Sequence, residues 1–330
     1  MQSYKTAIGV QKWITLLGFV LLGIKFWAFF LTNSVAILTD ALESIVNVTA
    51  GTITLLSLMV AAKPRDSSHP YGHGKAEFIS AGIEGTLITL AGLLIFYEAG
   101  KKLLNPGEVS SLDTGLILIS ISGIVNLLAG LFAIKTGKKT NSLGITATGK
   151  HLISDAVSSA GLVTGLIILY FTGWQWIDSV VAFLFGGMII YTGYKIVRTS
   201  IAGIMDESDE ELLNNLVKYL DRNRMENWID LHNLRVIKYG NQLHIDCHLT
   251  LPWYMNLNEA HIEIDSLSRL IKEEFGDLIE LFVHTDGCLP FSCKICNKQD
   301  CTVRKHPFKE KIEWTNINLF ENQKHEFLYK

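Results

Sequence analysis

The sequence predicts an α-helical membrane protein: six transmembrane helices, then a cytosolic α+β domain of ferredoxin-like plan and a Cys-rich tail. Three observations predict it. Charge is scarce, at 18% of 330 residues against 48% hydrophobic, where soluble domains carry about 25% charged residues. The scarcity is confined to one part: residues 1–204 hold 14 Lys/Arg and 10 Asp/Glu, whereas residues 205–330 hold 15 and 22. The stretches 44–62, 114–134 and 156–177 carry no charge at all, and a helix needs roughly 20 apolar residues to cross the hydrocarbon core.

Apolar runs bounded by charge place the six spans near 11–31, 35–61, 78–103, 112–136, 143–171 and 175–200. Buried helices of a soluble bundle would show runs of about 10–14 residues broken by caps. The first run is too long for a cleaved signal peptide and leads directly into further spans. With both chain ends inside, the inner segments hold Lys5, Lys12, Lys63, Arg65, Lys75, Lys135, Lys138, Lys139, Lys150, Lys195 and Arg198, and the outer connections only Lys101 and Lys102. That asymmetry follows the positive-inside rule. Both termini are therefore expected in the cytoplasm, and the protein in the bacterial inner or plasma membrane.

After residue 204 a polar helical segment, 208–220, precedes alternating segments at 231–237 and 242–251, helical spacing over 257–275, and a last strand at 278–284. Helix, strand, strand, helix, strand describes a small α+β domain. The expected divisions are thus 1–204, 205–287 and a tail at 288–330. Disorder is excluded by the apolar content, and nucleic acid is not an expected partner without a basic field. No G-x-x-x-x-G-K-[ST] phosphate loop is present. No convergent Ser/His/Asp or Cys/His set stands outside the candidate metal positions, so an enzyme is not expected.

Ionisable residues inside a membrane are costly and mark function. In the second span Asp40, Glu43 and Asn47 share one helical face, and in the fifth His151 and Asp155 stand one turn apart. Glu43, Asn47, His151 and Asp155 can supply four O/N ligands, a tetrahedral metal set with Asp40 nearby. Interhelical hydrogen bonds, or a charge pair between Lys25 and Asp40, are the structural alternative for any one of them. The tail reads Cys288-x4-Cys293-x2-Cys296-x4-Cys301, followed by His306. Four thiols on the reducing side of the membrane point to a zinc site rather than to disulfides, with an unliganded tail as the alternative. Cys247, in a strand, is expected in the core.

The six-span plan, the segment 34–47, the loop Pro-Arg-Asp-Ser-Ser-His-Pro-Tyr-Gly-His-Gly-Lys-Ala-Glu at 64–77 and the His151-x-x-x-Asp155 pair together resemble the cation diffusion facilitator family of divalent metal/proton antiporters, over about residues 10–290. The resemblance implies a transport site at Glu43, Asn47, His151 and Asp155. It also implies an accessory metal site at Asp66, His69 and His73 of the loop. In the cytosolic domain it implies a metal cluster near a homodimer interface at His232, His248, His261, His284 and Asp286; His244 and Asp246 are additions to that pattern. This sequence departs from the family's second-span pair, Asp or His followed by Asp, by carrying Glu43 and Asn47. The neutral amide suits harder ions such as Mn²⁺ or Fe²⁺, while His151 keeps Zn²⁺ in range.

The expected function is efflux of a divalent transition metal, Zn²⁺ first with Mn²⁺, Fe²⁺, Co²⁺ or Cd²⁺ as alternatives, by alternating access and exchange for protons. Metal and protons compete for one ligand set. The alternative from a different class is a membrane-anchored sensor or scaffold that binds metal without transporting it.

Overall fold

A computed structural model describes residues 2–32, 35–104, 113–172, 176–240, 242–276 and 278–326. The expected ligands Asp40 and Glu43 fall within a helix, but their side chains lie outside the described residues. The chain forms two compact units, Met1–Met205 and Asp206–Lys330.

The described residues of the first unit form six helices: α1 (Gln2–Thr32), α2 (Val35–Ala61), α3 (Ala76–Leu104), α4 (Asp113–Thr140), α5 (Leu143–Thr172) and α6 (Trp176–Ile204). Each has 27 to 31 residues, about 40–46 Å at 1.5 Å per residue. Among the described residues, three segments are long and apolar enough to cross a membrane: Tyr4–Trp27, Ala76–Lys101 and Ser120–Thr140.

The unit is apolar outside and mixes polar groups with apolar ones inside. Trp13, Phe19, Trp27, Leu94, Leu128 and Phe132 are exposed, whereas Gln11, Thr54, Glu84, Asn126, Thr148 and His151 are buried. That is the distribution expected when the solvent around the bundle is lipid. Helices α3 and α6, α4 and α5, and α1 and α2 form the principal pairs. Small residues let the backbones touch, as in membrane helix pairs generally: a Cβ on Gly149 of α5 would lie 2.8 Å from the Ile134 nitrogen of α4. This contact seats α5 closely against α4.

The second unit begins with α7 (Glu210–Arg222), whose first turn is capped by Asp209 accepting from the Leu212 N–H. Strands β1 (Asp230–Tyr239), β2 (Gln242–Leu251) and β3 (Ile279–Gly287) form one sheet in that order, with β1 antiparallel to β2 and β2 parallel to β3. The parallel pair is connected by α8 (Leu257–Phe275), opened by a capping box between Asn256 and Glu259. Leu216, Leu220, Leu231, Leu249, Leu267 and Ile271 fill the core between the helices and the sheet.

Residues 288–326 pack on this domain rather than trailing from it. Trp314 and Leu319 belong to its core. Arg224 donates to the carbonyls of Trp228 and Ile312 at 2.8 and 2.9 Å and stacks on the Trp314 ring at 4.3 Å. A bulge in β1, where Asn233 adopts φ 50°, turns two amides off the ladder. The extension takes them: Asn233 N–H donates to Glu321 O and Leu234 N–H to Leu319 O, both at 2.8 Å.

Candidate metal centres

In the membrane unit, α2 and α5 bring three expected ligands together. Asn47 Nδ2 donates to Asp155 Oδ2 at 2.6 Å. Its carbonyl oxygen accepts from His151 Nε2 at 2.9 Å, and His151 Nε2 stands 3.8 Å from Asp155 Oδ2. An amide oxygen can only accept, so this arrangement puts the imidazole proton on Nε2. A cation therefore enters by replacing hydrogen bonds that the three side chains make to one another. The Lys25 ammonium donates to Ser44 at 2.8 Å; the expected alternative, a pair with Asp40, lies outside the described side chains.

One residue of this cavity went unnamed in the sequence reading. Glu84 of α3 is 1% exposed and lines the same cavity as Lys25, Ser44, Asn47, Asn126 and His151. An acidic residue eight positions into a membrane helix was a readable signal. A second buried acid, Glu77, accepts from Ser142 Oγ and, at 3.2 Å, from Gly144 N–H, which ties the start of α5 to the start of α3.

The loop between α2 and α3 closes its three expected donors into a cluster whose ligand atoms lie within 4.8 Å of one another. Asp66 Oδ1 is 3.2 Å from His69 Nδ1, and Asp66 Oδ2 is 3.4 Å from His73 Nε2. The His69 and Ser68 amides donate to Asp66 at 2.7 and 3.0 Å. Those bonds, the His69 amide above all, hold the Asp66 carboxyl below its ordinary value and keep it an anion.

In the second unit, His232, His248 and Asp286 form a cluster on the same criterion. The register explains it: His232 faces His248 across β1 and β2, and Asp286 faces Thr250 across β2 and β3. Asp286 Oδ2 lies 3.4 Å from His232 Nε2 and 3.3 Å from His248 Nδ1. His284 borders the cluster, 3.8 Å from Asp286, but is 67% exposed. His261 stands apart with Asp265 on α8, His244 pairs with Glu280 at 3.0 Å, and Asp246 faces Arg235 across the ladder.

The C-terminal extension completes this site in a way the spacing did not announce. His325 Nδ1 is 2.5 Å from Asp230 Oδ1, its own amide donates to Asp230 Oδ2 at 2.9 Å, and that carboxylate faces His232 Nδ1 at 3.5 Å. Burial pushes Asp230 up, yet the bonds from His325 and the His232 ring beside it prevail and hold it at about 2. A fixed carboxylate behind a histidine is the usual way to orient a metal ligand. Lys324 Nζ lies 3.5 Å from Asp286 Oδ1 and donates to Gly287 O at 2.8 Å, so an ammonium occupies one side of the Asp286 carboxylate.

All five cysteines are free thiols, and Cys247 is buried in the core. Cys288 and Cys296 pack in one small cluster with Ile229 and Ile295. The Lys305 amide donates to Cys293 Sγ at 3.4 Å, and Arg304 holds the carbonyls of Cys293, Cys296 and Lys298. Burial raises the Cys288 thiol, and the other three tail thiols push it the same way. The sulfurs are neighbours, but they are not among the two groups of three donors found within 4.8 Å among the described residues.

Buried N and O donors on facing membrane helices, with further donor clusters on a loop and on an α+β domain, define an integral membrane protein that handles metal cations. Family profiles agree: the cation efflux transmembrane domain matches residues 12–205 and the cation efflux protein cytoplasmic domain matches residues 209–288. The chain belongs to the cation efflux, or cation diffusion facilitator, family, which is a family of transporters and not of enzymes.

Relatives include an uncharacterised transporter of Synechocystis sp., 31% identical over 76% of this chain and 81% of its own. The cation-efflux pump FieF of Shewanella oneidensis is 28% identical over 81% of this chain and 89% of its own. A cadmium, cobalt and zinc/H(+)-K(+) antiporter of Bacillus subtilis is also 28% identical, over 81% of this chain and 85% of its own.

Proposed function

We propose that this chain exports a divalent transition-metal ion from the bacterial cytoplasm in exchange for protons, by alternating access across six membrane spans with both termini cytosolic. Zn²⁺ is the first candidate cargo, with Mn²⁺, Fe²⁺, Co²⁺ and Cd²⁺ as competitors. The observation that carries the reading is the Asn47, His151 and Asp155 constellation, with the amide bonded to both partners. Glu43 is the fourth ligand of the proposed site, one turn from Asn47 on the same helix. Metal loads when Asp155, Glu43 and His151 are unprotonated, and protonation on the acidic side expels it, so the pH difference sets direction without ATP. The name of the Bacillus relative, a cadmium, cobalt and zinc/H(+)-K(+) antiporter, supports both the metal class and the proton coupling.

The remaining clusters serve regulation. Asp66, His69 and His73 form an accessory site on the cytosolic loop. His232, His248 and Asp286, with His284 and His261 as outer candidates, bind cytosolic metal in a domain spanning 205–287, through which two copies pair. The four tail thiols, between 288 and 330, hold a structural Zn²⁺. A sensor or scaffold that binds without transporting is the second reading, favoured by the wealth of donors outside the membrane. Zinc uptake into inverted vesicles separates the two. Asp155→Ala should abolish uptake, and full uptake in that variant would remove the site assignment.

A further inference from the structure

Of the two buried acids among the described residues of α3, Glu84 faces the transport cavity and has no role in the mechanism above. Glu84 Oε1 accepts from Thr148 Oγ1 at 2.7 Å and from Thr54 Oγ1, so it is fixed from both helices that carry the transport ligands. Its other oxygen, Oε2, is buried and has no hydrogen-bond partner among the described residues. The side chain lines the cavity that holds Asn47 and His151 and lies within electrostatic reach of that imidazole. A carboxylate fixed by one oxygen and left open at the other, in a membrane interior, is costly unless a cation meets it.

Its level along the bundle is informative. Thr54 follows Asn47 by seven residues on α2, and Thr148 precedes His151 by three on α5, offsets of about 10 and 5 Å at 1.5 Å per residue. Both point toward the end of the bundle with the loops at 62–75 and 141–142, and Glu84 lies near the start of α3 at that same end. We infer that Glu84 is an entry ligand: it receives the incoming divalent cation on its open oxygen, between the cytosolic loops and the Asn47, His151 and Asp155 site, and supplies the negative charge that Asn47 lacks. Thr54 and Thr148 act as positioning residues, keeping Oε2 turned to the cavity. The inference rests on the transport reading above, and the test keeps the two apart.

The full-length protein in proteoliposomes, with Zn²⁺ or Co²⁺ alone as the probe, would be assayed for initial uptake against metal concentration. Glu84→Gln keeps the shape and the acceptor for both threonines but removes the charge. It should raise KM about tenfold with kcat within about twofold of the parent, as expected for lost ground-state capture. Glu84→Asp, which restores the charge, should recover most of that loss. A parental KM in Glu84→Gln overturns the inference. So does an equal loss in Glu84→Asp and Glu84→Gln, since charge would then be irrelevant. His151→Ala with parental uptake would instead overturn the transport site itself.

Discussion

Asn47 donates to Asp155 at 2.6 Å while accepting from His151 at 2.9 Å, so a neutral amide holds the two titratable ligands of α5 in register. Asn47→Asp would set two carboxylates against each other, which favours a bound cation and makes its loss on acidification steeper. The expected result is a changed ranking among Zn²⁺, Mn²⁺, Fe²⁺, Co²⁺ and Cd²⁺ in side-by-side uptake, with apparent Zn²⁺ affinity rising about tenfold, or ~1.4 kcal/mol. An unchanged ranking would show that residue 47 does not set selectivity.

Lys324 sits against Asp286, 3.5 Å from its Oδ1, as a tethered positive charge beside His232 and His248. A metal ion at that cluster must share the carboxylate with it or displace it. Lys324→Met should therefore raise affinity of the cytosolic cluster for Zn²⁺ or Co²⁺, by a factor of about five to ten, in equilibrium dialysis of the full-length protein. Asp286→Asn should lose that binding in either background. Equal affinities for parent and Lys324→Met would make the lysine a bystander.

The tail thiols make a prediction about content and order. Cys293→Ser with Cys296→Ser should lower bound Zn²⁺ by about one ion per chain, since a closed structural site needs all four ligands. Limited proteolysis should then cut within 297–312 sooner than in the parent. Because burial raises the Cys288 and Cys296 thiols, zinc binding must displace protons there and should weaken as pH falls. Unchanged zinc content in the double variant would contradict the assignment.

Asp209 accepts from the Leu212 amide at 3.1 Å and from Lys238 Nζ at 2.7 Å. Burial pushes its carboxyl up, but the bonds from Lys238 and Leu212 outweigh that and hold it below 3.8. A carboxylate depressed in the folded state stabilises above its unfolded value, and the contribution is lost as pH falls through the folded one. Asp209→Ala should cost about 1 kcal/mol of local stability at pH 7, read as faster hydrogen exchange over residues 210–213. The difference from the parent should shrink below about pH 3.8. A pH-independent difference would remove Lys238 and the helix cap as its cause.

Much of the fold was legible because two periodicities and one length scale carry it. The segments 35–61 and 257–275 read from the sequence coincide with α2 and α8. Helix α1 was read from residue 11 and begins at Gln2. Hydropathy marks only the apolar stretch, whereas helical hydrogen bonding continues through exposed Lys5 and Lys12 with Ala7 and Gln11 buried beneath. Within the site, ligands one helical turn apart were readable, as were His232 and His248 once the strands were placed. Contacts across long chain separations were not. Lys324 with Asp286 and His325 with Asp230 depend on a bulge at Asn233 that docks the extension, and no spacing announces that. Glu84 was visible as an intramembrane acid, but only the packing of α3 beside α2 and α5 gives it a cavity to face.

The central claim is that protons and metal exchange at one site. Zinc uptake into proteoliposomes holding the purified protein, measured with and without an imposed pH gradient, tests it most directly. The account predicts that uptake rises with the gradient, carries protons the opposite way, and collapses when an ionophore dissipates the gradient. Zinc uptake indifferent to the gradient would contradict it.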